Sequence, residues 1–336
     1  ANDTNLAFLR GNLPAAYMGN SAGSARANGM PQIKAVLRTI NTTATTPAVG
    51  YMYVFNQPSV FRYEYANDDI RTMNSYPGPG NMTSSFSSET HGYSGGHKYG
   101  GIAIQRIDYS NDTAALTHVA SYSLPVQEAG SAGNRYYGYS AGGTHYPGPT
   151  GFNAVTTVFR VDYSSDTDTP TPKGNLSTAR KEGCGVGNQD FGYFAGTRAT
   201  TTDRIDYSND TVTSTIKGGV NSEMNDRQAT GNANYGYFGT SSTVTRLDYS
   251  NDTVDGVVKG SLLYSVGYAS ASGNKNFGYW MGGFDAGSHG NAVKFNFNND
   301  TADAVYKAEV STYAPGGDGF YQKSATSAAE NGLPQP

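Results

Sequence analysis

Two stretches decide the fold: Asp203-Arg204-Ile205-Asp206-Tyr207-Ser208-Asn209-Asp210-Thr211, and downstream Gly231-Asn232-Ala233-Asn234-Tyr235-Gly236-Tyr237-Phe238-Gly239. Both are words that recur. Arg-x-Asp-Tyr-Ser-Asn-Asp-Thr is complete at residues 106–113, 204–211 and 246–253, with weaker copies at 62–69 and 160–167 and a degenerate one at 294–301. The N-terminal Asn2-Asp3-Thr4 reads as a further fragment. Gly-Asn-x-x-(Phe/Tyr)-Gly-Tyr stands at 133–139, 187–193, 231–237 and 273–279, with looser forms at Gly50-Tyr51, Gly92-Tyr93 and Gly319-Phe320. The count is seven copies, and a basic residue (Arg10, Lys173, Lys217, Lys259, Lys307) follows at a constant distance from the Thr of five of them.

A repeat of about 42–54 residues with this punctuation reads as the four-stranded blade of a β-propeller. The small-residue run ending at Gly-Asn is the first strand and the Gly-Tyr-Phe segment the second. In the third, period-two alternation puts Arg204 and Asp206 on one face and Ile205 and Tyr207 on the other. The fourth is expected over 211–217. Asn and Asp tolerate left-handed backbone and bond their own main chain, so Gly-Asn and Ser-Asn-Asp-Thr suit the turns between strands one and two and between three and four. The other connections then share the opposite rim. That rim also holds the two insertions, between Arg10 and Gly50 and between Gly143 and Arg160. Closure is expected from residues 4–10, supplying the outer strand of a seventh blade that begins near residue 309 and so removing a free edge. The domain is expected over 1–324, with a loosely ordered tail over 325–336.

The Gly-Gly pairs (Gly142-Gly143, Gly282-Gly283, Gly95-Gly96) beside Asp-Tyr and Asn-Asp-Thr resemble the kelch repeat. The chain departs from it in that its one Trp, Trp280, lies in strand two rather than strand four. The longer words resemble repeats of virion structural and fibre-type proteins of marine tailed phages, cyanophages among them. That resemblance implies a seven-bladed kelch-like propeller acting as a non-enzymatic virion component, a capsid decoration or a tail-fibre-associated protein. Its partners would be other virion proteins, a host surface glycan or protein, and further copies of itself. The alternative is a secreted carbohydrate-binding lectin or adhesin.

Composition narrows the classes. Among 336 residues, Lys+Arg number 23 and Asp+Glu 27, a net charge of -4 that offers no surplus for a phosphate backbone. No apolar run approaches the roughly 18 residues of a membrane helix. Cys184 stands alone, so an internal disulfide framework is excluded. Catalytic, cofactor and metal residues are not expected. His91, His97, His118, His145 and His289 lack metal-ligand spacing, and a motif repeated once per blade signals packing rather than a unique reactive centre. The Arg-x-Asp words are expected to pair as a polar girdle, Arg106, Arg160, Arg204 and Arg246 reaching Asp108, Asp162, Asp206 and Asp248 of their own or adjacent blades. Tyr193, Tyr237 and Tyr279 are expected between blades with bonded hydroxyls. The five Asn-Asp-Thr sequons are read as turns. Candidate binding residues are Tyr76, His145 and Tyr146, in Pro-Gly-rich or long loops where a rigid scaffold presents function.

Overall fold

Alternating apolar residues bounded by Gly-Asn and Asn-Asp fold into four-stranded antiparallel sheets in chain order. The computed structural model describes residues 50–56, 59–75, 84–97, 101–145, 153–196, 199–220, 228–283, 290–309 and 324–327. The chain divides at Thr45/Thr46, and every described residue belongs to the second unit. Blade 2 comprises Ser84–Ser87, His91–His97, Gly101–Asp108 and Thr117–Ser121. Blade 3 comprises Gly130–Gly133, Tyr137–Ala141, Val158–Asp162 and Thr171–Pro172. Blade 4 comprises Cys184–Gly187, Phe191–Ala195, Thr201–Asp206 and Thr215–Gly219. Blade 5 comprises Ala229–Gly231, Tyr235–Thr240, Thr243–Asp248 and Val257–Ser261. Blade 6 comprises Ser270–Gly273, Phe277–Met281, Asn291–Asn296 and Val305–Glu309. Blade 1 takes Tyr51–Asn56, Ser59–Glu64 and Asp69–Ser75 from one end of the unit and its inner strand, Ser324–Thr326, from the other.

The described residues therefore form six blades, not seven. The seventh arose from counting the words at both ends as a blade of their own. Instead, the C-terminal strand completes the sheet that begins at Tyr51, with Tyr53 opposite Thr326 and Phe55 opposite Ser324. Residues 4–10 and Gly319-Phe320 lie outside the described residues, and no described sheet contains a strand from before residue 50. The tail expected from Ala325 starts inside a buried strand: Ala325, Thr326 and Ser327 are at most 4% exposed.

Among the described residues six apolar clusters hold the ring, each shared by neighbouring blades. Between blades 5 and 6, for instance, Tyr237, Val244 and Leu262 pack with Trp280, Val293 and Phe295. The cluster that closes the circle joins Tyr279 and Met281 of blade 6 to Met52, Val54, Phe61 and Ala325 of blade 1. Inner strands adjoin one another in order, and Ser324–Thr326 sits between those of blades 6 and 2. Such closure leaves edges only on the circumference.

The turn from strand three to strand four is longer than a tight hairpin. Asp206 caps a 3-10 turn by accepting from the Ser208 amide at 2.9 Å and its hydroxyl at 2.7 Å, and the same arrangement recurs at Asp108, Asp162 and Asp248. The outer strand consequently starts at Thr215 rather than Thr211. A bulge in the outer strands of blades 4–6 shifts the register beside Lys217, Lys259 and Lys307 and aims each lysine at the next blade.

Candidate functional site

The residues that repeat build joints. In each of blades 1–5 a second-strand Tyr lies directly opposite the third-strand Arg in the sheet register, as Tyr193 does opposite Arg204. Both donate to one Asp in the turn between strands three and four of the following blade. Asp252 receives Tyr193 at 2.8 Å, Arg204 at 2.6 Å and Lys217 at 3.1 Å. The sets Tyr53–Arg62–Asp112, Tyr93–Arg106–Asp166, Tyr139–Arg160–Asp210 and Tyr237–Arg246–Asp300 repeat it. The girdle thus differs from the expected one. Arg204 passes over Asp206, which is engaged in capping its own turn, and in the adjacent blade meets Asp252 rather than Asp248, which caps the turn there. Above each joint the Tyr ring stacks on an aromatic of the next blade: Tyr193 on Tyr249 at 4.8 Å, Tyr237 on Phe297 at 4.3 Å.

The sixth joint is degenerate. Tyr279 stacks on Tyr65 at 4.5 Å, but its hydroxyl has no partner, because Asp68 sits at φ 57° and accepts from Tyr63 of its own blade at 2.6 Å and from Lys307 at 3.1 Å. Lys294 replaces the arginine here and lies over Phe277.

These joints predict acid sensitivity. Burial opposes the charge on Asp252, yet hydrogen bonds from Tyr193, Lys217 and Arg204 outweigh it and hold the carboxyl below its ordinary value; at Asp68, Tyr63 and Lys307 outweigh burial in the same way. A carboxyl with a depressed native pKa stabilises the fold fully above the unfolded value of about 3.9 and loses that contribution as pH falls through the native value. Thermal midpoints should be steady near neutrality and fall below about pH 4. Melting curves across that range check this, and a midpoint unchanged in acid would count against ionised joints.

Among the described residues the space at the axis is small. Ser85, Ser131, Gly185, Ala229, Ala271 and Ala325 meet there, and the space open to water centres is about 20 Å³, room for one or two waters. A Cβ at Gly185 would collide with the carbonyl of Ser131, so the small residues of 183–187 are a packing requirement.

One feature does not repeat. Arg180 and Asp203, 1% and 0% exposed, form an ion pair at 2.6 Å. Asp203 also accepts from the hydroxyls of Ser177 and Ser214, both at 2.5 Å, and from the Ser177 amide at 3.0 Å. Burial opposes its charge, but these bonds and Arg180 prevail and keep its carboxyl below the ordinary range. Arg180 reaches Thr201 as well, at 3.2 Å. Its backbone then grips both ends of the long blade 3 loop: the Arg180 amide donates to Val155 at 3.0 Å, and the Gly143 amide donates to the Arg180 carbonyl at 2.6 Å. Gly142 and Gly143 have φ 73° and 86° and pack on carbonyl oxygens where a Cβ would not fit, so the loop leaves the sheet through two positions that require glycine.

His145 lies on this loop, half-buried, its Nε2 without a hydrogen-bond partner, and burial lowers its pKa. Tyr76 and Tyr146 lie outside the described residues, so His145 is the one candidate placed. Arg180 and Asp203 escaped the sequence reading. The available signal was a charge at Asp203, where the equivalent positions opposite strand two carry Phe61, Gln105, Phe159, Thr245 and Val293.

Among the described residues no three His, Cys, Asp or Glu side chains gather in a way that could hold a metal ion. Cys184 is 2% exposed, and burial pushes its thiol up to about 12. A neutral buried thiol is a poor nucleophile. The native protein should leave a thiol reagent such as DTNB unreacted at pH 8 for as long as it stays folded and release one equivalent on denaturation. Rapid native labelling would mean that Cys184 is accessible.

No family model matches the chain, and no curated protein matches it. Solved structures do: 650 chains match, a breadth that makes the likeness a statement about fold. Among them is one described as "Structure of YjhT", with TM-score 0.59 and 12% identity over 71% of this chain and 86% of that one.

Proposed function

We propose that this chain is a non-enzymatic structural component of a tailed-phage virion, a capsid decoration or tail-fibre-associated propeller that displays rim loops for attachment. The virion assignment rests on the resemblance of the repeated words. The display role is supported by one observation above the others, the clamping of both ends of the blade 3 loop on the backbone of Arg180. The polar chemistry that repeats is consumed in blade-to-blade joints, and among the described residues the axis keeps room for only one or two waters. The rim loops are left available to meet a partner. Loop ends fixed by a locked scaffold reduce the ordering cost when a partner binds.

Peptide mass spectrometry of gradient-purified phage particles from the population that carries the gene tests this. The chain is expected in the particle band at a fixed ratio to the major capsid protein. Its presence only among free soluble proteins would overturn the reading, and specific glycan-array binding by that free protein would favour a secreted lectin.

A further inference from the structure

Independently of any virion role, we infer that His91 makes the joint between blades 2 and 3 the one that loosens on mild acidification. Five of the six joints carry the same cover. In each, the residue two positions before the second-strand Tyr lays its ring over the third-strand cation: Tyr51 over Arg62 at 4.5 Å, Tyr137 over Arg160 at 4.2 Å, Phe191 over Arg204 at 4.4 Å, Tyr235 over Arg246 at 4.5 Å and Phe277 over Lys294 at 4.1 Å. Register fixes the place, because each of these rings stands opposite the residue two past its cation, as Tyr137 stands opposite Asp162. In blade 2 that place, opposite Asp108, belongs to the half-buried His91. Of the six covers only an imidazole changes charge near neutral pH. Neutral, it stands in for the aromatic ring; protonated, it sets a second cation beside the Arg106 guanidinium.

The joint beneath this cover depends heavily on Arg106. Asp166 receives Tyr93 at 2.9 Å and Arg106 at 2.7 Å. Thr117 pairs with Arg106 as Thr215 pairs with Arg204, so Val119 stands where blade 4 has the Lys217 that supports Asp252. The Arg106 side chain is also the most exposed of the five joint arginines, 30% against 17–26% for the others.

The groups around the ring decide the sign. On its own strand and turn it meets Tyr93, with 6.3 Å between ring centres, and Thr90, whose Oγ1 lies 2.8 Å from Nδ1. A neutral ring can accept there, whereas a protonated ring can only donate. The third strand brings Arg106 and Asp108, and the turn of blade 3 brings Asp166. Burial and Arg106 lower the His91 pKa and outweigh the opposing pull of Asp108 and Asp166. Asp108 is already committed to the Ser110 amide at 2.8 Å and hydroxyl at 2.7 Å. A histidine with a lowered folded pKa costs nothing above its unfolded value of about 6.5. As pH falls from there through the native value, the opened joint binds the proton more readily than the closed one, and the closed joint loses stability. This window lies above the acid range in which the Asp252 and Asp68 carboxyls act, so the two effects separate.

Hydrogen exchange of the full chain at about pH 5 and about pH 7.5, corrected for intrinsic rates and read by peptide mass spectrometry, tests this. Peptides covering 88–94 and 163–168 should lose protection several-fold at the lower pH, while 207–212 and 249–254, the turns under the Tyr137 and Phe191 covers, stay unchanged. His91→Tyr, which installs the ring found at Tyr51, Tyr137 and Tyr235, should abolish the difference. His145 is the other half-buried histidine whose pKa burial lowers, and His145→Gln should keep the difference. The imidazole NMR signal that disappears in His91→Tyr should titrate below about 6.5 in the parent. Should His91→Tyr fail to fold, His91→Phe takes its place, and the contrast between turns in the parent needs no variant. Equal behaviour of all four peptides, a response that persists without His91, or an imidazole titrating above about 6.5 overturns the inference.

Discussion

Replacing Asp203 by Ala is expected to cost about 3–5 kcal/mol, because it strands the Arg180 guanidinium in a fully buried site. Ser177 and Ser214 lose their acceptor at the same time. Denaturant unfolding would show the loss as a lowered midpoint. Removing both charges is a different experiment. Arg180→Met with Asp203→Leu should recover most of the stability, since a packed apolar pair replaces ions whose desolvation nearly cancels their attraction. Hydrogen exchange adds a local readout: the amides of Gly143 and Val155, which tie the blade 3 loop to its base, should lose protection in Asp203→Ala beyond the drop seen in blade 6. An Asp203→Ala protein as stable as the parent would mean that water or another group already shares the site.

Ending the chain at residue 323 is expected to abolish cooperative folding of the ring. The deletion removes the inner strand of blade 1 and exposes the backbone of Tyr53, Val54 and Phe55, all 0% exposed in the intact protein. It also removes the hydrogen bonds from Ser85 to the Ala325 carbonyl and from Ser327 to the Tyr51 carbonyl, both at 2.8 Å. An open apolar strand edge invites aggregation, so the truncated chain should be recovered largely insoluble or without a sharp thermal transition. A soluble protein that melts like the parent would show that the ring closes in some other way.

Much of this architecture is legible in the sequence because a propeller repeats one solution. Gly-Asn marks the first turn in blades 3–6, Gly-Tyr the second strand in blades 2–6 and Arg-x-Asp-Tyr the third strand in blades 2–5, and the period-two alternation in 204–207 matches the side chains seen in Thr201–Asp206. Blade number was harder. Ser324–Thr326 is three small residues with no word of its own, while Asn2-Asp3-Thr4 carries a word and has no place among the described sheets. Partner choice was hidden as well. Sequence proximity favours Arg204 with Asp206, whereas the 3-10 turn engages Asp206 and moves Asp252 of the next blade under the guanidinium. The Arg180–Asp203 pair spans two blades and has no counterpart in the other repeats, so no periodic reading could reveal it.

The ring of six closed by the C-terminal strand is tested most directly by a covalent bond across the closing register. Val54 and Ala325 are opposite each other in the antiparallel pair, and such neighbours lie within disulfide reach. With Cys184→Ser as background, Val54→Cys with Ala325→Cys should oxidise to an intrachain disulfide, visible by peptide mass spectrometry, in a monomeric fraction that keeps a cooperative melt. If the two thiols stay free in the folded, oxidised protein, residues 324–326 are not the strand that closes the ring.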